Sequence, residues 1–166
     1  MDAAKAMRLF YENPDMSFED AYQKFLDIRK RVVRFPTSND VQLVCIPTTS
    51  GTGSEVSPVA IIKDTKTGIK HTLCDYALIP DVSIVDDQFV EKLPKRLIAW
   101  SGFEALGHAI ESYVSTMATD FTRGWSIEAI QTIFNNLKAS YDGDLDARKR
   151  MHDAATIAGM AYSNAF

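Results

Sequence analysis

The pattern of this chain changes once, at Pro94, and that change limits what it can fold into. Before it, short apolar runs alternate with turns rich in Gly, Pro, Thr and Ser, as strands in a mixed α/β layout do. After it the character is helix alone. Leu97 to Ser115, Asp120 to Ala139 and Leu145 to Phe166 are three long segments with helical periodicity, joined by short polar turns. The expected fold is therefore an α/β part over residues 1–91 followed by an all-α part over residues 92–166. The first part has too few strand-like runs for a complete sheet. Both ends read as apolar helix, so the chain is expected to be an internal piece of something longer.

The 166 residues are 46% hydrophobic and 24% charged, the balance of a globular protein with a core. A formal charge of −4 argues against a nucleic-acid platform. No run approaches the roughly 20 apolar residues of a membrane span, and the first residues lack a secretory signal pattern. Cys45 and Cys74 stand far apart, without metal-ribbon or disulfide-framework spacing, which makes a reducing cytoplasm the default.

Residues 1–11 read as a helix with Ala3, Met7, Phe10 and Tyr11 on one face. Ser17-Phe18-Glu19-Asp20 resembles a capping box opening a second helix, with Phe18, Ala21, Tyr22, Phe25 and Ile28 at helical spacing. The basic stretch Lys30 to Arg34 reads as a solvated helix end, and Phe35-Pro36 breaks the helix before the polar run 37–40. Val41 to Ile46 reads as a buried strand. Val59 to Lys63 and Ile69 to Leu73 read as strands of a hairpin turned at Asp64 to Gly68, and Val82 to Val85 as a further short strand.

Two places could hold chemistry. The loop Pro47-Thr48-Thr49-Ser50-Gly51-Thr52-Gly53-Ser54-Glu55 directly follows a strand, where open α/β sheets hold anionic ligands. Hydroxyls and uncrowded backbone N–H groups suit phosphate or ribose oxygens. Neither a P-loop nor a nucleophile-elbow pattern is present. By itself the loop reads equally well as an ordinary turn. On the helix 97–115, Ser101, Glu104, His108, Glu111, Ser112 and Ser115 form a polar stripe opposite Ile98, Ala105, Ala109 and Ile110. Glu104 and His108, at i and i+4, could share a divalent metal, or could be a casual pair on a solvated face. His71 and His152 read as surface or satisfied histidines rather than ligands.

These residues resemble a known family. The loop 47–55 is similar to the nicotinamide-binding loop of the iron-containing (group III) alcohol dehydrogenases. Ser83 to Pro94, with Ala99-Trp100-Ser101-Gly102-Phe103-Glu104-Ala105-Leu106-Gly107-His108-Ala109-Ile110-Glu111, looks like that family's first signature. Asp27-Ile28-Arg29-Lys30-Arg31 before Phe35-Pro36, and Met117 to Thr122, look like the alcohol dehydrogenase half of bifunctional aldehyde–alcohol dehydrogenases. The resemblance runs over essentially the whole chain. It implies a dehydroquinate synthase-like architecture cut at both ends, with a partial Rossmann-like dinucleotide-binding domain at 1–91 and the start of a helical metal-binding domain at 92–166.

The resemblance further implies that Thr48, Thr49, Thr52, Ser57 and Lys70 contact NAD, and that Glu104 and His108 ligate Fe(II), or Zn(II). The implied activity is metal-assisted hydride transfer between a primary alcohol and its aldehyde. A cytoplasmic, homo-oligomeric or filamentous full-length relative is implied with it, with a small alcohol or aldehyde as substrate and no nucleic-acid or membrane partner. Three departures stand out. The family's aspartate ligand is Glu104 here, its two further histidines are expected beyond Phe166, and its Gly-Gly-Gly-Ser pyrophosphate turn is expected before Met1. The isolated chain is accordingly expected not to turn over substrate. The alternatives are a non-catalytic interaction module of the same fold, or a glycerol dehydrogenase or dehydroquinate synthase-like reaction, for which Glu104 would be a natural ligand.

Overall fold

Where each apolar residue finds cover decides the arrangement of the chain. The computed structural model describes residues 1–22 and 41–165. The expectations for Phe25, Ile28, the basic stretch 30–34, and the break at 35–40 lie outside the described residues. The chain divides into two units, one of residues 1–45 and 57–82, the other of 46–56 and 83–166.

The first unit is built on α1 (Asp2–Glu12) and a hairpin of β2 (Val59–Lys63) and β3 (Lys70–Cys74), followed in chain order after α1 by the short α2 (Phe18–Ala21). The hairpin is antiparallel, pairing Val59 with Cys74, Ala60 with Leu73 and Lys63 with Lys70. Its core gathers Ala6, Leu9, Ala21, Ala60, Leu73 and Leu78, with Phe10, Phe18 and Tyr22 against them.

The buried face of α1 differs from the expected one. Met7 and Tyr11 are 71% and 77% exposed, Ala3 is exposed, and the inward positions are Lys5, Ala6 and Leu9. Lys5 is only 1% exposed because its ammonium donates to the Ser57 carbonyl (2.7 Å), the Ser57 hydroxyl (3.2 Å) and the Val59 carbonyl (2.9 Å). A charge so furnished with acceptors can enter a core. Arg8 joins Asp81 (2.6 Å) and the Ala77 carbonyl (2.8 Å).

The expected strand 41–46 shrinks to β1 (Val44–Cys45), which neighbours β4 (Val82–Ser83). Val44 and Ile46 are exposed and Cys45 is buried. Period-2 alternation with one covered face explains the difference, since a two-stranded ribbon buries only every second side chain. Cys45 and Cys74 are both buried thiols.

The second unit packs α3 (Lys95–Val114), α4 (Asp120–Asp142) and α5 (Leu145–Ala165) together. Thr119 and Thr122 cap α4 reciprocally, and Gly143, at φ +114°, closes it in the left-handed conformation that glycine adopts freely. Small residues allow close approach: Ala105, Ala154 and Ala155 are buried with Ile133 and Met151, and Ala109, Ala129 and Ala158 form a second cluster with Ile130 and Ile157 against it.

The expected polar stripe on α3 is half correct. Ser101 and Ser112 lie on the buried face with Ala105 and Ala109, and Ile110 is exposed at 43%. Serine is small enough to pack there; Ser112 Oγ stands 2.6 Å from Ser126 Oγ across the helices, whereas Ser101 Oγ is buried without a partner among the described residues. Among the described residues no helix is long and apolar enough to cross a membrane.

Candidate functional site

The loop 46–56 follows β1, belongs to the second unit, and has two sides. Thr48 and Thr52 are exposed and Thr49 is half-buried, whereas Ser50, Gly51, Gly53, Ser54 and Glu55 are buried. The buried side docks on helices that come far later in the chain. Ser50 Oγ lies 3.0 Å from Nδ1 of His152, and the Thr156 hydroxyl donates to Glu55 Oε1 at 2.7 Å. Gly53 has φ +62°, and a methyl group there would sit 2.5 Å from the Gly159 Cα. A methyl at Gly51 would lie 2.8 Å from both Glu104 Oε2 and the Ser101 Cβ. Only glycine lets the backbone come this close. Thr48 and Thr52 are left exposed, where a ligand can reach them.

Glu104 and His108 stand one turn apart on α3. Glu104 is exposed; His108 is half-buried, its ring 4.5 Å from that of Tyr162 on α5, inclined at 33°. Nδ1 of His108 is buried without a hydrogen-bond partner among the described residues, so any ligand must meet this imidazole through Nε2. Burial, and secondarily Glu111, pushes the Tyr162 phenol above its ordinary range, which keeps that ring neutral beside the imidazole. A carboxylate and an imidazole on one helix face fit a divalent iron or zinc ion as two of its donors. Among the described residues no group of three or more His, Cys, Asp or Glu could hold a metal.

The other two expected cofactor contacts lie in the first unit. Ser57 is half-buried, with its carbonyl and hydroxyl both engaged by Lys5. Lys70 is exposed at the start of β3, opposite Lys63. The other two histidines each have partners of their own. His71 lies against the rings of Tyr22 (4.6 Å) and Phe18 (5.4 Å, edge-on). His152 is 1% exposed on Ser50. Burial lowers its pKa below the ordinary histidine value, against the opposing pull of the Glu55, Asp153, Asp87 and Asp86 carboxylates. Sequence reasoning misses Tyr162 and the loop-binding role of His152. The one available signal is that His152, Thr156 and Gly159 are spaced to share a face of α5.

Comparison with known proteins agrees with this arrangement. Residues 1–87 match the iron-containing alcohol dehydrogenase family, and residues 98–166 match the C-terminal part of the Fe-containing alcohol dehydrogenase family. An aldehyde-alcohol dehydrogenase 2 of Entamoeba histolytica is 56% identical over the whole chain, which spans 19% of that protein. The iron-containing alcohol dehydrogenase of Thermococcus thioreducens superposes with a TM-score of 0.89 at 35% identity, covering 99% of this chain and 42% of its own. A sulfoacetaldehyde reductase from Bifidobacterium kashiwanohense, solved in complex with NAD+, gives a TM-score of 0.86 at 27% identity, over 98% of this chain and 42% of its own. The chain thus spans about a fifth of the curated aldehyde-alcohol dehydrogenases it matches. An α/β part followed by a helical part, a threonine loop docked on a carboxylate–imidazole helix, and matches over nearly the whole length all agree: the chain belongs to the iron-containing alcohol dehydrogenase family.

Proposed function

We propose that this chain contributes the nicotinamide loop and two metal ligands of an iron-dependent, NAD-linked alcohol dehydrogenase that interconverts a primary alcohol and its aldehyde. Residues 1–91 form part of its dinucleotide-binding domain and 92–166 the start of its helical metal-binding domain. Thr48, Thr49 and Thr52, with Ser57 and Lys70, contact the cofactor; Glu104 and His108 hold the metal. The full-length protein is a cytoplasmic homo-oligomer or filament.

One observation carries the reading: Gly51 brings the loop backbone against the Glu104 carboxylate. Hydride transfer requires the nicotinamide within a few ångströms of the substrate carbon whose oxygen the metal would hold, and a loop seated on the ligand helix meets that need. Bound iron supplies Lewis-acid polarisation of the alcohol or carbonyl oxygen. The protein's own part is positional. Thr48 and Thr52 offer exposed hydroxyls to the cofactor, the buried side of the loop keeps them in place, and Tyr162 fixes the plane of the His108 ring. No side-chain nucleophile is required.

Binding tests both halves of this reading on the chain itself. NADH should bind with fluorescence enhancement, weakened about fivefold by Thr48→Ala or Thr52→Ala, the worth of one hydrogen bond. Co(II) titration should give an absorbance signal that disappears in His108→Ala. NADH affinity indifferent to both threonine changes would remove the loop from the site.

A further inference from the structure

We infer that α5 is the strap that sets the shape of the threonine loop, with His152 and Thr156 as positioning residues and Gly159 as the seat. This rests on the reading of 47–55 as the nicotinamide loop, and names residues that touch neither cofactor nor metal. His152, Thr156 and Gly159 lie at i, i+4 and i+7, one continuous face of a helix. Each meets a different part of the loop: His152 the Ser50 hydroxyl at 3.0 Å, Thr156 the Glu55 carboxylate at 2.7 Å, and Gly159 the Gly53 backbone.

Five of these six residues are nearly inaccessible, with Ser50 at 6%, Glu55 at 3% and His152 at 1% exposure, and Gly53 and Gly159 buried. Water therefore cannot stand in for the bonds when they are lost. The loop's own bonds are local. The Ser54 N–H donates to the Thr52 hydroxyl at 3.2 Å and the Val56 N–H to the Gly53 carbonyl at 3.1 Å, and neither bond reaches Thr48 or Ser50. Thr48 and Thr52 are exposed while the strapped residues between and beyond them are buried, so the strap holds the backbone that carries those two threonines.

The test uses the whole chain, with amide hydrogen exchange read across residues 48–56 and NADH as the binding probe. In His152→Leu and in Thr156→Val, loop exchange should quicken about fivefold to tenfold, the worth of one buried hydrogen bond. NADH affinity should fall by a similar factor, with α3 and α4 amides unchanged. His152→Asn, which returns a polar group near the Nδ1 position, should restore most of both. Exchange quickening equally through α3 and α4, or no rescue by Asn, would make His152 a packing residue and overturn the inference. So would unchanged loop exchange. A wild-type chain that binds no NADH yet shows the loop-confined quickening would refute the nicotinamide reading while leaving the strap standing.

Discussion

Two loops of this chain share a vocabulary of threonine, glycine and one acidic residue, and are held by opposite means. The turn 64–68 is held from within. The Asp64 carboxylate accepts the Lys66 N–H (2.8 Å) and the Thr67 hydroxyl (2.7 Å), and Gly68, at φ +74°, has no atom within 4 Å of where a side chain would start. The loop 47–55 is held from outside, by partners 102 and 101 residues away at His152 and Thr156, and by the close approach of Gly159. A turn that carries its own bonds needs only a local sequence. A loop that borrows them has its shape stored elsewhere, which leaves the threonines on its open side available to a ligand.

The glycines give the sharpest way to break this contrast. Gly53→Ala meets both a left-handed backbone and a clash with Gly159, and should cost about 3 kcal/mol. Gly68→Ala meets the backbone penalty alone, about 1 kcal/mol. Urea unfolding of the two variants measures the difference, and equal losses would mean that the loop is not docked.

External anchoring recurs just past the loop, where Lys5 reaches 52 residues to Ser57 and 54 to Val59. Lys5→Met keeps the stem and strands those acceptors, so it should destabilise by about 2 kcal/mol. A neutral result would show that the buried ammonium is only tolerated.

Acid separates the two loops without any substitution. Burial depresses the His152 pKa in the folded chain below its ordinary 6.5, so the unfolded chain takes the proton first. The stability this group contributes is present above about pH 6.5 and is lost as pH falls through the lower folded value. Amides 48–56 should loosen over that window, and His152→Asn should flatten the response. Asp64 is also depressed, chiefly by the Thr67 hydroxyl, from an ordinary 3.8. Its contribution is present above that value and lost only as pH falls further. The turn should therefore stay protected while the loop opens. The smallest effect expected is that of Asp64→Ala, a local rise in exchange at Lys66 and Thr67 with no change at 48–56.

The sequence is most legible where structure is local. The hairpin 59–74 with its turn, the three helices after Pro94 and the i, i+4 placement of Glu104 and His108 all follow from spacing and turn chemistry. The α1 face misleads because a lysine counts as solvent-facing until Ser57 and Val59 appear as its acceptors. Ser101 and Ser112 mislead because a serine on a helix face does not announce burial; the partner of Ser112 shows only once Ser126 is across from it. The loop is visible as a possibility, but its docking is not. Spacing within the nine residues does not tell a docked loop from a free turn, because the contacts that hold it lie at 152, 156 and 159.

Whether residues 47–55 and the pair Glu104 and His108 belong to one metal- and nicotinamide-dependent site is decided most directly by a graft. Residues 1–166 replace the matching segment of the Entamoeba histolytica relative, and alcohol-dependent NAD reduction is followed anaerobically with Fe(II). The expected result is an active graft that loses about a hundredfold or more in Glu104→Ala and in His108→Ala, as loss of a metal ligand does. A graft that keeps its rate in both variants would contradict the assignment.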